Sequence, residues 1–430
     1  MVSLLTPVER VRSCGACPRQ GYLPRAASVG SYTAGRWPAA STFGHMQLNR
    51  VLEQHIAIFG ESGSGKTVLV SSFYGATQEP QFLKSSLFDV TADDAGQGHR
   101  LHGNYLGMKD SARRPDTTRF SSTSYAFSVK LRVTSVKANG PKPFDALRLI
   151  WHDYPGEWFE QDVSGPEEAQ RRVAAFKSLL GSDVAFLLVD AQRLLDNAGE
   201  EERYLKSLLG SFRTGLLRLK DHVLEDGKPL VKFPRIWILA LSKADLLPEL
   251  DVFKFRDLII GKASDDLDEL RKVLAGLVES SDALAVGEDF LLLSSAKFEA
   301  NRIEVTQRIG LDLVLPVAAM LPFERHIHWV EEKRAGAKVV EELLGGVGPL
   351  AAALIGKAKL AGPIGKLVGL FGRDVVNAAV SAAAKLVGDK LKEKNAEAFA
   401  KHDYMAAALT GFRLDLDNGE EAQVLLRSKK

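Results

Sequence analysis

The stretch of sequence that decides the fold is Gly60-Glu61-Ser62-Gly63-Ser64-Gly65-Lys66-Thr67. It fills every fixed position of the pattern G-x-x-x-x-G-K-[ST], whose glycines let backbone N–H groups turn inward around phosphate oxygens. The lysine of this pattern bridges the outer phosphates of a nucleotide, and the Thr67 hydroxyl can ligate Mg²⁺. We therefore expect residues 60–68, ending with Val68, to hold a nucleotide.

The residues on either side have the strand-loop-helix order that such a loop requires. Before the loop, His55-Ile56-Ala57-Ile58-Phe59 suits a buried parallel strand, and after it Thr67 to Phe73 continues as an apolar helical segment. Apolar runs at 184–190, 236–241 and 290–293 have the length of further buried strands, and the segment from Glu200 to Leu224 is a charged amphipathic helix. These patterns predict an α/β fold.

A hairpin is predicted between the first and second of these buried strands. Tyr125 to Val133 alternates apolar and polar residues, and Ala138-Asn139-Gly140-Pro141 turns the chain into Leu147 to Trp151. The polar interval from Thr91 to Ser124 precedes this hairpin and is too long for an ordinary connection, so we expect a functional or mobile loop there. Its histidines, His99 and His102, lack partners at metal-ligand spacing and are interpreted as solvated.

Composition limits the class of protein. The chain has 430 residues, of which 45 % are apolar and 26 % charged, as in globular proteins with one large or two ordinary domains. A formal net charge of +2 does not imply a nucleic-acid partner. The two cysteines, Cys14 and Cys17, argue against a disulfide scaffold and are interpreted as incidental thiols. We expect a cytoplasmic protein.

The first 45 residues contain a single acidic residue, Glu9, and no apolar core of the kind that a secretory signal needs. We expect a disordered tail or a misassigned start, with translation beginning at Met46. An organellar transit peptide also fits this composition.

Polar residues follow three of the predicted strands. Asp153-Tyr154-Pro155-Gly156-Glu157 ends the second hairpin strand, Ser242-Lys243-Ala244-Asp245 follows the run at 236–241, and Ser294-Ser295-Ala296-Lys297 follows the run at 290–293. An acidic residue at the carboxyl end of a strand, downstream of a phosphate loop, suits a carboxylate that organises Mg²⁺. Asp153 is therefore a candidate metal ligand.

With the phosphate loop, these three segments resemble in order the motifs of the TRAFAC-class P-loop GTPases, over about residues 50 to 325. The resemblance implies a mostly parallel sheet flanked by helices, binding of GTP or GDP with Mg²⁺, and γ-phosphate sensing at Gly156. It assigns base recognition to Ser242, Lys243 and Asp245, and closure over the base to Ser295, Ala296 and Lys297. Residues 153–158, Asp-Tyr-Pro-Gly-Glu-Trp, are similar to a run in the bacterial YcjX-like P-loop proteins.

The chemistry of the base motif favours guanine. Asp245 can accept hydrogen bonds from guanine N1–H and its exocyclic amine, which adenine cannot reciprocate, and the Ala296 backbone N–H can donate to the guanine carbonyl. The stem of Lys243 lies along the base. Ser242 stands where the family has Asn or Thr, and it lacks the amide that braces the phosphate loop.

Hydrolysis is expected to be slow. Lys66 and backbone amides stabilise charge during phosphoryl transfer, with Gly156 and Glu157 beside the γ-phosphate. Glu157 stands where many family members carry Gln, and its carboxylate would be repelled by the phosphate.

Thr118 is assigned as the switch threonine on Mg²⁺, with Thr67 and Asp153 as the other metal ligands. Arg113, Arg114 and Arg119 are interpreted either as a source of an arginine finger or as a solvated basic loop.

The C-terminal hundred residues, 331–430, differ from the domain expected at 46–330. They are rich in Ala, Gly and Leu, with lysines such as Lys357, Lys359, Lys366 and Lys385 between apolar residues. We expect two or three helices that pack on the nucleotide domain or a protein partner, or that lie on an anionic membrane. Phe412 to Leu416 and Ala422 to Leu426 flank Asn418-Gly419, which predicts a terminal β-hairpin.

Together these features predict a guanine-nucleotide switch that hydrolyses GTP slowly and regulates a protein partner or a membrane through its switch loop and C-terminal helices. The alternative is a nucleotide-binding interaction protein with negligible hydrolysis.

Overall fold

The computed structural model of the protein describes residues 51–115, 123–132, 146–159, 165–332, 334–339, 392–393, 396 and 404–428. The predictions for residues 1–45, for the turn at 138–141, for Thr118 and for the lysine-bearing segment 340–391 lie outside these ranges. Within the described ranges no helix is long and apolar enough to cross a bilayer.

Ten strands and nine α-helices are described. The strands are β1 Val51–Phe59, β2 Phe88–Ala92, β3 Thr123–Leu131, β4 Ala146–Asp153, β5 Val184–Asp190, β6 Ile236–Ser242, β7 Ala285–Leu293, β8 Lys297–Phe298, β9 Ile303–Glu304 and β10 Leu425–Leu426. The helices are α1 Lys66–Thr77, α2 Pro80–Ser85, α3 Ala95–Ser111, α4 Pro166–Leu180, α5 Ala191–Asp196, α6 Glu201–Val223, α7 Val252–Ala275, α8 Val314–Glu331 and α9 Tyr404–Glu421.

Eight strands form one mostly parallel sheet in the order β10-β7-β6-β5-β1-β4-β3-β2. The five central strands, β7, β6, β5, β1 and β4, run parallel, whereas β10, β3 and β2 are antiparallel to their neighbours. The predicted hairpin is confirmed, with Tyr125 opposite Trp151. Because parallel strands end at one edge, the segments after β1, β4, β6 and β7 meet there.

Helices cover both faces of the sheet. Successive residues of β1 point to opposite faces, so the strand contributes side chains to the apolar cluster on each side. Ile56 and Ile58 belong to the apolar cluster with α1, α8 and α9, and Ala57 and Phe59 belong to the cluster with α4, α6 and α7. The Phe59 ring stacks on Trp237 of β6, with centroids 5.2 Å apart. The predicted α/β fold with a mostly parallel sheet flanked by helices is confirmed, and so is the helix predicted near 200–224.

The expectation of a loop throughout Thr91 to Ser124 is wrong. Residues 95–111 form α3, which Asp94 caps by accepting a hydrogen bond from the Gln97 backbone N–H at 2.8 Å. The buried residues Leu101, Tyr105 and Met108 recur at a helical spacing. The polar residues and glycines between them hide this sparse apolar stripe from the sequence pattern.

The prediction of a terminal β-hairpin is also wrong. Residues 404–421 form α9, and only Leu425 and Leu426 form a strand, which pairs antiparallel with β7. Phe412 and Leu416 are buried four residues apart, at a helical spacing, while Leu414 between them is only half-buried. Packing of this face against α8 outweighs the local alternation that suggested a strand.

Candidate functional site

A cleft of about 550 Å³ opens at the carboxyl edge of the sheet, a size typical of small-molecule sites. Residues from all four predicted segments line it, namely Ser62, Gly63, Ser64, Gly65, Lys66, Thr67, Val68, Asp153, Gly156, Ser242, Lys243, Asp245, Ser295 and Ala296. Gly60, Glu61 and Lys297 are predicted site residues that are not on its wall. Glu157 lies in the 3₁₀ turn Gly156–Phe159 beside the cleft.

The phosphate loop has the backbone that its glycines predict. It connects β1 to α1, and Gly63 and Gly65 have φ values of 78° and 92°, which glycine adopts without steric strain. The Ser64 hydroxyl is buried, and it has no hydrogen-bond partner in the described part of the chain. A loop of this conformation at a helix N-terminus, with an unsatisfied buried hydroxyl at Ser64, fits a bound phosphate group.

Lys66 lies folded over this loop. Its Nζ donates hydrogen bonds to the carbonyl oxygens of Gly60 at 2.7 Å and Glu61 at 2.9 Å. The same atom lies 5.4 Å from the ring centroid of Tyr154, close enough for a cation–π contact. The ammonium group is therefore held inside the loop.

Tyr154 braces the start of the loop. Its hydroxyl accepts a hydrogen bond from the Gly60 N–H at 3.0 Å and donates to the Gly60 carbonyl oxygen at 3.2 Å. The ring is 2 % exposed and packs on Phe59 and Phe176. The sequence placed Tyr154 inside the D-x-x-G segment without giving it a role, and only the fold brings it to Gly60.

Asp153, the last residue of β4, is 5 % exposed and accepts a hydrogen bond from the Tyr154 N–H at 2.9 Å. Burial raises the pKa of Asp153 to about 6, and the nearby Lys66 acts in the opposite direction. A cation beside this carboxylate would favour its charged form. Since Thr67 lines the same cleft, the donor set fits Mg²⁺.

Gly156 lies directly against the phosphate loop. A Cβ at this position would come within 2.3 Å of the Ser62 nitrogen and 2.5 Å of the Glu61 carbonyl carbon. Only glycine therefore allows the D-x-x-G segment to touch the loop. This contact joins the segment after β4 to the one after β1.

At the other end of the cleft, partner residues orient the predicted base-binding side chains. Lys243 Nζ forms an ion pair with Asp190 at the end of β5, at 2.7 Å, and Asp190 is 3 % exposed. Asp245 Oδ1 accepts a hydrogen bond from the Ser294 hydroxyl at 2.5 Å. The Ser242 hydroxyl donates to the Val189 carbonyl oxygen at 3.3 Å, so this contact joins β6 to β5.

Sequence reasoning missed Asp190 and Ser294 as orienting residues. Both occupy strand ends that the sequence predicted, since Asp190 closes the run at 184–190 and Ser294 follows the run at 290–293. Their position at the ends of predicted strands is the sequence signal that could have identified them. Nothing local, however, indicates which side chain each of them contacts.

A phosphate cradle, a buried carboxylate and a base-recognition pair, which follow one another in this order along the chain and meet at one edge of a parallel sheet, are the arrangement of a P-loop GTPase domain. The chain belongs to the family described as Double-GTPase 2, which it matches over residues 54–270, half of its length. That match includes the phosphate loop, Asp153 and Asp245, and it ends before Ser295. The chain therefore contains a GTP-binding P-loop domain.

Among solved structures, the chain is similar to one titled signal recognition particle receptor SRb-GTP/SRX complex, from Chaetomium thermophilum. The identity is 17 %, the match covers 56 % of this chain and 90 % of that one, and the TM-score is 0.27. No curated protein matches the chain. The narrower similarity of residues 153–158 to the YcjX-like proteins stays a prediction.

Proposed function

We propose that the protein is a guanine-nucleotide switch that hydrolyses GTP slowly to GDP and phosphate. The observation that carries this proposal is that Lys66, Asp153 and Asp245 line one cleft. Membership of a GTPase family supports the same conclusion. The proposed role of each end of the cleft follows from its chemistry.

At the base end, Asp245 provides the specificity. Its Oδ1 accepts a hydrogen bond from the Ser294 hydroxyl, which fixes the carboxylate and leaves further lone pairs for guanine N1–H and the exocyclic amine. Adenine presents no matching pair of donors, and a buried polar group left unpaired is costly. Lys243, held by Asp190, provides a stem for the base to lie on.

At the phosphate end, the loop amides and Lys66 stabilise the charge of the triphosphate. Thr67 and Asp153 would hold Mg²⁺, which supplies charge neutralisation at the phosphate oxygens. Glu157 follows Gly156, where a carboxylate near the γ-phosphate repels negative charge. Slow intrinsic turnover follows from that repulsion.

The switch itself is proposed for the segments around β3 and the D-x-x-G turn, whose order would depend on the γ-phosphate. Its output would be a protein partner, reached through these segments and the C-terminal helices. As an alternative to a protein partner, the lysines Lys357, Lys359, Lys366 and Lys385 would bring the protein to an anionic membrane. Flotation of the full chain with anionic vesicles, compared with a variant carrying Gln at these four positions, tests the membrane contact. Absence of wild-type flotation would rule the contact out, and equal flotation of the two proteins would rule out the role of the lysines.

Single-turnover hydrolysis of GTP and ATP, with and without Mg²⁺, tests the nucleotide function. We expect slow Mg²⁺-dependent cleavage of GTP, little cleavage of ATP, and loss of activity in Lys66→Ala. Lys84→Ala, on the exposed face of α2, is the matched control and should cleave GTP like the wild type. Wild-type cleavage no faster than that of Lys66→Ala would overturn the hydrolase and favour a nucleotide-binding interaction protein. Equal cleavage of ATP and GTP would overturn the role of Asp245 in base recognition.

A further inference from the structure

Helix α3 contributes to the base end of the cleft. Tyr105 and Met108 of α3 pack in one apolar cluster with Ala296 of the base-closing segment and with Ile303 and Val305, which belong to β9 and the residue after it. Val68, at the start of α1, is packed against the same cluster. The last turns of α3 therefore lie beside the segment that is expected to close over the base.

The chain reverses directly after α3 and enters the wall of the cleft. Ala112 adopts the left-handed conformation with φ 48°, and the Arg113 N–H donates to the Gly107 carbonyl oxygen at 2.9 Å. The next two residues, Arg114 and Pro115, line the cleft. This turn therefore fixes the backbone position of Arg114 at the wall of the cleft.

Arg114 meets an aromatic ring at that wall. Its guanidinium carbon lies 5.5 Å from the ring centroid of Phe298, which is on β8, two residues after Ala296. Phe298 also lines the cleft, and it is 38 % exposed and so accessible to a ligand there. The pair therefore presents a planar cation and an apolar face to whatever occupies the base end.

We propose that Arg114 and Phe298 form a clamp on the bound guanine base and thereby set how long the nucleotide stays. A purine is flat and polarisable, and planar guanidinium groups and aromatic rings both stack on such faces. Asp245 reads the edge of the base, whereas the clamp holds its face. This inference rests on the proposed binding of guanine nucleotides.

The clamp differs from the arginine finger that the sequence also allowed for Arg114. A finger must reach the transferred phosphoryl group, so its removal slows the chemical step. The contact with Phe298 places the guanidinium at β8, beside the base-closing segment, so its removal should speed release of the nucleotide. The two roles therefore differ in which rate they change.

The test measures release of radiolabelled GDP and single-turnover GTP cleavage in the full chain. We expect Arg114→Ala and Phe298→Ala each to speed GDP release by about five- to tenfold. The double variant should be no faster than the faster single variant, because one clamp is lost. Arg114→Lys should release GDP as fast as Arg114→Ala, because an ammonium group lacks the planar stacking surface. Cleavage of bound GTP, measured in the same variants, separates the clamp from an arginine finger, because only the loss of a finger slows the chemical step more than it speeds release.

Arg302→Ala is the control, because Arg302 is exposed on the same β8–β9 unit and pairs with Glu299 at 2.8 Å. It should release GDP like the wild type. Slower GTP cleavage in Arg114→Ala with unchanged release, or unchanged release in Phe298→Ala, would overturn the clamp alone. A wild-type chain that binds no GDP would overturn the proposed function together with the clamp.

Discussion

At the scale of single residues, the phosphate loop depends on a side chain outside it. Lys66 is held by two loop carbonyl groups, and the first of these, on Gly60, is itself held by the Tyr154 hydroxyl. The residue after the candidate metal ligand thus fixes the loop that receives the phosphates. A change at Tyr154 should therefore affect nucleotide binding without touching any predicted ligand.

We predict that Tyr154→Phe weakens GDP binding by about two- to tenfold. The ring keeps its packing, but the Gly60 N–H and carbonyl oxygen lose a neutral hydrogen-bond partner, which typically contributes about 0.5 to 1.5 kcal/mol. Equilibrium GDP binding by calorimetry measures the effect. Tyr105→Phe is the matched control, because its hydroxyl donates to Glu79 at 2.9 Å, away from the loop. Equal affinities in both variants would contradict the bracing role of Tyr154.

The sequence was sufficient to predict those site residues that belong to a short local pattern. Lys66, Asp153 and Asp245 could be predicted because each belongs to a short pattern that follows a predicted strand. Asp190 and Ser294 could not be predicted as their partners, since these contacts join residues 53 and 49 positions apart. Such pairs depend on the order of strands in the sheet, which single-strand patterns do not contain.

At the scale of elements, α3 and α9 are helices in segments for which the sequence predicted other structures, a loop and a β-hairpin. Each has a buried stripe interrupted by residues that favour other structures, the glycines of α3 and the Asn418-Gly419 pair of α9. Helix propensity is a weak preference that packing overrides, and here α1 and α8 supply that packing. Each of the five parallel strands, in contrast, contains a short apolar run, such as Ile56–Phe59 in β1 and Phe290–Leu293 in β7, and such runs could be predicted from the sequence.

Packing between α1 and α3 gives a prediction at this scale. A Cβ at Gly75 would lie 2.0 Å from Cγ of the buried Tyr105, so Gly75→Ala forces the two helices apart. We expect a loss of about 1 to 3 kcal/mol in the free energy of unfolding. GDP release should also become faster, because Tyr105 shares a cluster with Ala296. Urea unfolding and GDP release measure the two effects.

Gly210→Ala is the control for this prediction. Gly210 lies in α6, where an added Cβ meets no atom within 4 Å, and Ala is the better helix former. Its stability should be unchanged or slightly higher. A Gly75→Ala protein as stable as Gly210→Ala would show that α1 and α3 are not packed this closely.

At the scale of the whole molecule, a buried histidine makes stability depend on pH. His326 of α8 is 5 % exposed, and burial lowers its pKa from 6.5 to about 4, although its hydrogen bond to the Pro322 carbonyl oxygen acts in the opposite direction. Between these two pKa values the unfolded chain binds a proton that the folded chain does not. Its contribution to stability is therefore complete above pH 6.5 and is lost as the pH falls toward 4.

We predict that His326→Phe removes up to about 3 kcal/mol of the loss of stability between pH 6.5 and pH 4. Chemical unfolding at several pH values measures the slope for the wild type and the variant. A constant difference caused by altered packing does not change this slope, and above pH 7 the two curves should run parallel. Identical slopes below pH 6.5 would show that the pKa of His326 in the folded protein is not lowered relative to the unfolded chain.

The C-terminal segment is bound to the nucleotide domain by a charged cluster. Arg427, which follows β10, is paired through its guanidinium with Asp417 at 2.6 Å, Glu420 at 2.7 Å and Glu324 at 3.2 Å. Asp417 and Glu420 belong to α9 and Glu324 to α8, so one side chain, 12 % exposed, joins these two helices to the segment after β10. The next residue, Ser428, donates its N–H to Asp289 of β7 at 2.9 Å. Because β7 ends at Leu293, directly before the residue that orients Asp245, this cluster supports the strand that leads to the base site.

We therefore predict that Arg427→Met lowers the free energy of unfolding by about 3 kcal/mol, because three carboxylates lose their shared cation in a largely buried place. Arg203→Met is the control, since Arg203 on α6 is exposed and its ion pair with Glu200 should contribute less than about 1 kcal/mol. Adding Glu324→Gln to Arg427→Met should restore part of the stability, because the buried Glu324 carboxylate in Arg427→Met is left with Arg413, at 3.6 Å, as its ion-pair partner in the described part of the chain. If Arg427→Met were as stable as Arg203→Met, or if Glu324→Gln restored nothing, the cluster would not be what joins α9 to the sheet. Apolar contacts such as Phe412 against Phe88 would then have to hold the C-terminal helix in place.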